Sequence, residues 1–272
     1  MAQQLDSILQ QTHRNLEIIL DLSGSMKLPL GQSTRIATAR KVLQEVLDKI
    51  PDDLNVGLRV YAHRYGSRQK DTCTDTELVS PIVKLDRRRI VAVANRLQPR
   101  GETPLVYSIL QAPADLKAVG GGSLIVITDG EETCGGDPAK AARQLEDSGV
   151  PITLNIVGFT LSGKQTEQEL SAFAEATGGQ YYRAQDGEAL GKAITTAALT
   201  RISYAVYDAK GMQVAKGVAG PLAEELEPGA YKVVVRAGDQ ELTERVDVAS
   251  GANVVLTVAR RSGAFQLLRV RN

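Results

Sequence analysis

Two hydrophobic periods divide this chain near residue 200. Before it, short aliphatic runs without polar alternation recur: Leu16–Asp21 (LEIILD), Val56–Tyr61, Leu124–Asp129 (LIVITD) and Ile152–Phe159 (ITLNIVGF). Runs of this length, apolar on both sides, fit strands of a parallel sheet covered on both faces. Between them, apolar residues return every three or four positions. The clearest case is Thr34–Ile50, which lines up Ile36, Ala39, Val42, Leu43, Val46 and Leu47 behind a cap at Ser33 or Thr34. Asp86–Leu97, Pro104–Val119, Asp137–Asp147, Lys164–Ala176 and Gly187–Ala198 read as further helices. Strands alternating with helices predict right-handed βαβ units, hence an α/β fold with a doubly wound, mostly parallel sheet over residues 15–199.

After residue 200 the period becomes two. Ile202–Tyr207, Tyr231–Val235, Leu242–Val248 and Val254–Val258 are β-rich, with turn signals at Lys210-Gly211, Pro228-Gly229, Gly238-Asp239 and Ser250-Gly251. Short strands at such spacing predict a small antiparallel β-sandwich over 200–272.

Composition narrows the function. Of 272 residues, 32 are Lys or Arg and 32 are Asp or Glu, so the net charge is zero and the cationic excess of a nucleic-acid binder is missing. Hydrophobic residues at 43% and charged residues at 24% exclude a disordered solvating chain. Aromatics at 4% speak against stacking platforms for bases. No apolar run reaches the roughly 18–20 residues that span a bilayer. Residues 1–14 form a polar extension without the apolar core of a signal peptide, which suits either a cytoplasmic chain or a mature one freed of its leader. Cys73 and Cys134 are too few for a disulfide framework and lack metal-motif spacing, although one bridge is compatible with them.

The chemistry concentrates in three segments. Asp21-Leu22-Ser23-Gly24-Ser25 directly follows the first strand, and alternate residues of an extended loop share a side, so Asp21, Ser23 and Ser25 can converge. A carboxylate and two hydroxyls are hard oxygen donors suited to Mg²⁺, with Mn²⁺ or Ca²⁺ as variants, and poor for Zn²⁺. The competing reading makes the serines helix caps, yet the helical pattern begins only near Ser33. Asp129 ends another strand, and carboxyl ends of parallel strands share one ligand-binding edge, so Asp21 and Asp129 should face one crevice. Thr103, in Gly101-Glu102-Thr103-Pro104, is held out of the α region by the following proline; it either presents its hydroxyl or caps the next helix.

D-x-S-x-S after the first strand, a G-x-T-P loop and an apolar strand ending T-D-G together resemble the von Willebrand factor A domain over about residues 14–198. Bacterial members are the closer likeness, through D-x-C-x-D near Asp71, T-D-G-E-E-T-C-G-G-D-P at Thr128–Pro138 and AEATGGQYY at Ala174–Tyr182. The tail resembles a transthyretin-like or fibronectin-like sandwich through Leu226–Val235. The resemblance implies a metal-ion-dependent adhesion site in which Ser23 and Ser25 bind the ion directly, Thr103 directly or through water, and Asp21 and Asp129 mainly through waters. A free coordination position would then accept an Asp or Glu carboxylate from a protein partner. Both cysteines would lie on the rim of that face, either bridged, which would favour a secreted or cell-envelope setting, or as two unrelated thiols. Asp71, Asp75, Glu131, Glu132 and Asp137 would make the rim acidic, as solvated loop carboxylates or around a second cation such as Ca²⁺, while most Lys and Arg lie elsewhere. His63 and Arg64, near the same rim, are either ligand contacts or surface decoration.

Two enzyme readings compete. Gly158 to Lys164 matches G-x-x-x-x-G-K, as in a P-loop NTPase using Lys164, but Gln165 replaces the Mg²⁺-binding Ser or Thr, and the aspartate strand comes first in the chain. An aspartate-based phosphatase needs a second Asp where Ser23 stands, and no G-x-S-x-G elbow exists. The expectation is a binding module and not a catalyst; a third reading gives the ion only a loop-stabilising role.

Overall fold

The apolar runs become the middle of a six-stranded sheet. The computed structural model describes residues 15–199, 202–218, 225–237, 240–252, 254–261 and 264–271; the polar stretch 1–14 and the Gly238-Asp239 turn lie outside them. The chain divides into two compact units between Ala198 and Leu199.

In the first unit, β1 (Asn15–Asp21) precedes a short ladder of β2 (Pro29–Leu30) and β3 (Ser33–Thr34), and β4 (Asn55–Tyr61) leads to β5 (Thr76–Lys84). Then come β6 (Gly122–Thr128), β7 (Ile152–Phe159) and β8 (Tyr181–Ala184), giving the order β5-β4-β1-β6-β7-β8. All pairings are parallel except β4 with β5. Every residue of β1 and β6 is buried, because helices cover both faces of the sheet. Leu16, Ile18 and Leu20 point to the side of the helices Arg35–Leu47 (α1), Arg87–Arg96 (α2) and Gly187–Leu199 (α7); Ile19 joins the opposite core. That opposite core is covered by Leu105–Ile109 (α3), Ala112–Lys117 (α4), Pro138–Asp147 (α5) and Lys164–Ala176 (α6). The fold is therefore α/β with a mixed, mostly parallel sheet.

Thr34 caps α1, its hydroxyl accepting from the Ala37 amide at 3.3 Å, and Asp86 and Asp137 cap α2 and α5 in the same way. One expected helix is corrected: Pro104–Val119 is not continuous but breaks into α3 and α4, since Pro113 has no amide hydrogen to donate into a preceding turn. Two strands of the six-stranded sheet escaped the pattern. β5 carries Pro81, tolerable because it lies at the sheet edge, and β8 is only four residues long.

The second unit contains β9 (Ile202–Tyr207), β10 (Gln213–Val218), β11 (Gly229–Ala237) and β12 (Gln240–Val248) in a four-stranded antiparallel sheet ordered β10-β9-β11-β12. β13 (Val254–Arg261) and β14 (Ala264–Arg271) form a separate antiparallel pair. Where a sandwich was expected, the described residues form this one sheet and one hairpin. Asp208 builds the β9–β10 turn by accepting from the amides of Lys210 and Met212. No helix of the described residues is long and apolar enough to cross a membrane.

Candidate metal centre

Parallel pairing of β1 with β6, in the register Leu20↔Ile127, places Asp21 beside Thr128 and Asp129 at the carboxyl edge of the sheet. Asp21 is fully buried. Its Oδ1 accepts from the Ser23 amide at 2.6 Å, which turns the chain after the strand. Its Oδ2 accepts from the Thr128 hydroxyl at 2.8 Å, and that hydroxyl in turn accepts from the Tyr61 phenol at 3.1 Å. Burial, and next the Asp21 charge, hold the Tyr61 phenol well above its ordinary range, so it stays a donor.

Neither serine is spent on capping. A 3-10 turn at Gly24–Lys27 follows Ser23, whose side chain makes no cap bond. Instead the Ser23 and Ser25 hydroxyls lie 2.9 Å apart, and Ser25 donates to Asp129 Oδ1 at 2.6 Å. Thr103 does not cap α3 either, since the helix begins at Leu105 with Pro104 at its cap position. Thr103 is buried, and its Oγ1 and the Ser25 Oγ lie 3.5 and 3.6 Å from the point where a side chain on Gly130 would begin. The structure thus brings Asp21, Ser23, Ser25, Thr103 and Asp129 together.

Arg35, from the first turn of α1, was not anticipated. Its Nη1 donates to Asp129 Oδ2 at 2.8 Å, so one guanidinium pairs with one of the two clustered aspartates. Burial and the neighbouring Asp21 charge push the Asp129 carboxyl up to about 6, against the opposing pull of the bonds from Arg35 and Ser25. Two carboxylates, only one of them paired with a cation, leave negative charge to be balanced, and the remaining donors are hydroxyls. Such an all-oxygen set fits Mg²⁺, Mn²⁺ or Ca²⁺.

The loops around this cluster are joined through their backbones. The Gly24 amide donates to Gly101 O at 3.0 Å, and the Arg100 amide is shared between Leu22 O at 2.9 Å and Ala62 O at 3.0 Å. A side chain on Gly101 would begin only 2.7 Å from both Thr72 Oγ1 and Tyr65 O, so this close approach requires glycine. The Thr103 amide donates to Thr133 Oγ1 at 2.7 Å, while the Thr133 amide donates to Thr103 O at 3.2 Å. Cys73 and Cys134 form a disulfide with their Cα atoms 5.4 Å apart, tying the loop after β4 to the loop after β6.

The rim matches the acidic, solvated one expected only in part. Asp75 is fully buried and accepts from the Arg64 and Tyr65 amides and from Arg64 Nε. Burial pushes its carboxyl up, but these bonds outweigh that and hold it below the usual carboxylate range. Glu132 accepts from the Val106 amide at 2.8 Å and the Cys134 amide at 2.6 Å, Asp137 is a helix cap, and Glu131 accepts from Thr166 Oγ1 at 2.8 Å. Asp75 and Glu132, answering backbone amides from the interior of the loops, are structural, whereas Asp71, Glu131 and Asp137 are exposed, as expected of solvated loop carboxylates. His63 is buried, not decorative, with Nε2 3.2 Å from Glu77, and burial depresses its basicity despite Asp75 and Glu77.

The P-loop-like segment does not form a phosphate cradle. Gly158 lies inside β7, and Lys164 is exposed at the start of α6. The Glu131 carboxylate faces that first turn through its bond to Thr166, where a phosphate would meet repulsion.

A description of the von Willebrand factor type A domain matches residues 15–196. The chain belongs to the von Willebrand factor type A family. Its relatives include YwmD of Bacillus subtilis (strain 168), an uncharacterized protein 31% identical over 185 residues, covering 66% of this chain and 82% of YwmD. The fold is shared with a solved von Willebrand factor type A protein from Catenulispora acidiphila, with TM-score 0.56, 16% identity, and coverage of 86% of this chain and 65% of that one. It is also shared with SpaC, a pilus adhesin from Lactobacillus rhamnosus GG, with TM-score 0.55, 13% identity, and coverage of 95% of this chain but 50% of SpaC. This chain thus spans most of its Bacillus relative and half to two thirds of these two structures.

Proposed function

We propose that this protein is a binding module that recognises an acidic group of a protein partner through a divalent cation, Mg²⁺ by preference, held at Asp21, Ser23, Ser25, Thr103 and Asp129. The convergence of three hydroxyls and two carboxylates from three separate loops carries the reading. Ser23 and Ser25 would bind the ion directly and Thr103 directly or through water, while Asp21 and Asp129 would orient the serines and hold the shell of water. When bound, the ion supplies uncompensated positive charge and a coordination position that a partner's Asp or Glu can take. Arg35 moderates the site by offsetting one of its two aspartates.

A purely structural role for the ion is less well supported, because backbone bonds and a disulfide already join the loops. An NTPase role is opposed by Glu131 at the first turn of α6. The test is isothermal titration with Mg²⁺ and Mn²⁺, beside capture of Asp- and Glu-containing peptides with and without EDTA. Ser23→Ala and Asp129→Ala should lose both metal uptake and Mg²⁺-dependent capture. Capture that survives EDTA and both substitutions would sink the metal role. Metal uptake that raises the melting temperature without changing capture would favour the structural role.

A further inference from the structure

An open cleft of about 530 Å³ is lined by Lys27, Arg64, Gly66, Gln69, Gln98 and Arg100. Three cations and two amides, without one carboxylate, make this lining the opposite of the acidic rim expected from the sequence. Arg64 is partly neutralised, with its Nε 2.8 Å from Asp75 and a more distant contact to Glu77. Lys27 and Arg100 are exposed, and among the described residues neither has an ion pair. Two unneutralised cations converging on one concavity leave a positive potential that an anion would relieve.

Position links the cleft to the candidate metal centre. Lys27 ends the same 3-10 turn that carries Ser25, two residues away, so their Cα atoms lie within roughly 7 Å. Arg100 precedes Thr103 by three residues, a span of at most about 11 Å. The loops that present both cations are held by the Gly24 to Gly101 and Arg100 to Leu22 backbone bonds, and the loop carrying Gly66 and Gln69 is fastened by buried Asp75 and the Cys73–Cys134 bridge. The cleft is thus preorganised beside the cluster.

We propose that this cleft is a second anion subsite, which takes a further carboxylate of the same partner segment whose first carboxylate reaches the metal. The partner's recognition segment is then polyacidic, with two Asp or Glu residues one to three positions apart, since an extended peptide advances about 3.3 Å per residue. The inference rests on the metal-dependent reading of the neighbouring cluster, and the experiment separates the two.

Fluorescein-labelled peptides carrying one glutamate, or two glutamates that are adjacent or separated by one or two alanines, are titrated with the full chain and followed by anisotropy. Titrations run in Mg²⁺ and in EDTA, at low and high salt. The two-glutamate peptide of best spacing should bind at least about fivefold more tightly than the one-glutamate peptide, with the gain fading as salt rises. Lys27→Gln/Arg100→Gln should reduce that gain to within about twofold while leaving Mg²⁺-dependent binding of the one-glutamate peptide unchanged. Lys27→Arg should retain it. A gain that persists in the double variant, or no gain at any spacing, overturns the subsite. If two-glutamate binding is equal in Mg²⁺ and EDTA yet falls in the double variant, the subsite stands and the metal reading fails. Mn²⁺ uptake by paramagnetic resonance judges the metal site separately, so failure of all peptides to bind overturns the subsite and the recognition of acidic groups, while the metal site stands or falls on that uptake.

Discussion

The bridge between Cys73 and Cys134 closes a loop with a sequence separation of 61, which contains β5, α2, α3, α4 and β6. Its stabilising effect acts on the unfolded chain, where the cross-link removes conformational freedom. For a loop of that size the chain-entropy relation gives about 4 kcal/mol. In a domain of this size each kcal/mol shifts the melting temperature by about 2–4 °C, so losing the bridge should cost about 8–16 °C. The assay is thermal denaturation by circular dichroism of three samples: oxidised protein, protein kept in reductant, and Cys73→Ser/Cys134→Ser. The second and third should melt together, well below the first. A double variant melting within about 3 °C of the oxidised protein would refute the entropy argument, since no loop this long should be so cheap to open. Reduced protein melting above the double variant would instead mean that the thiols contribute through packing.

Three further outcomes follow from particular contacts. Arg35→Gln removes the cation facing Asp129 and should tighten Mg²⁺ binding by roughly tenfold in calorimetry, an effect on the order of 1 kcal/mol; weaker binding would mean that Arg35 serves mainly to position Asp129. Glu132→Ala deprives the Val106 and Cys134 amides of their acceptor and should destabilise the domain by about 1–3 kcal/mol in urea unfolding, whereas Asp71→Ala, at an exposed position, should be near neutral. Glu17 is buried on β1 with Arg59 Nε 3.1 Å from its carboxylate, and Arg59 also pairs with Asp115. Burial and the Asp115 charge push Glu17 up to about 8, against the pull of Arg59. Because the folded value lies above the unfolded one, the native state holds the proton more tightly, and this stabilisation is full below about pH 4.5 and lost as pH rises through about 8. Glu17→Gln should flatten that decline in denaturation measured from pH 5 to 9; an unchanged slope would place the titration elsewhere.

The parts legible in the sequence are those where one period dominates. Central strands such as Leu16–Leu20 are apolar throughout because both faces are covered, and the α1 stripe from Ile36 to Leu47 has no competing pattern. The edge strand β5 was hidden because its exposure is irregular and it contains Pro81. The five clustered residues were readable since each follows a strand or precedes a proline, positions whose geometry the chain itself dictates. Arg35 was not, because its partner Asp129 is 94 residues away and only the docking of α1 on the sheet joins them. Thr128 stood within the T-D-G signal but was unassigned, although a residue paired beside Asp21 across two parallel strands is its natural donor. Two rim acids, Asp75 and Glu132, were misread for a different reason. A carboxylate that accepts a backbone amide and one that faces water look identical in a sequence, and only the path of the loop tells Glu132 from Asp71.

The shared amide of Arg100 has a consequence for how signals would cross this face. It donates at once to the strand end that carries the serines and to the end of β4, so the cationic cleft and the serine loop hang from one nitrogen. If an occupant of either place displaces that nitrogen, the other place feels the displacement, and thermodynamic reciprocity then requires equal enhancement or equal antagonism in both directions. The cycle of two ligands measured in both orders would close on a single coupling factor, making one peptide hydrogen the hinge of a logic gate whose inputs are a cation and an acid.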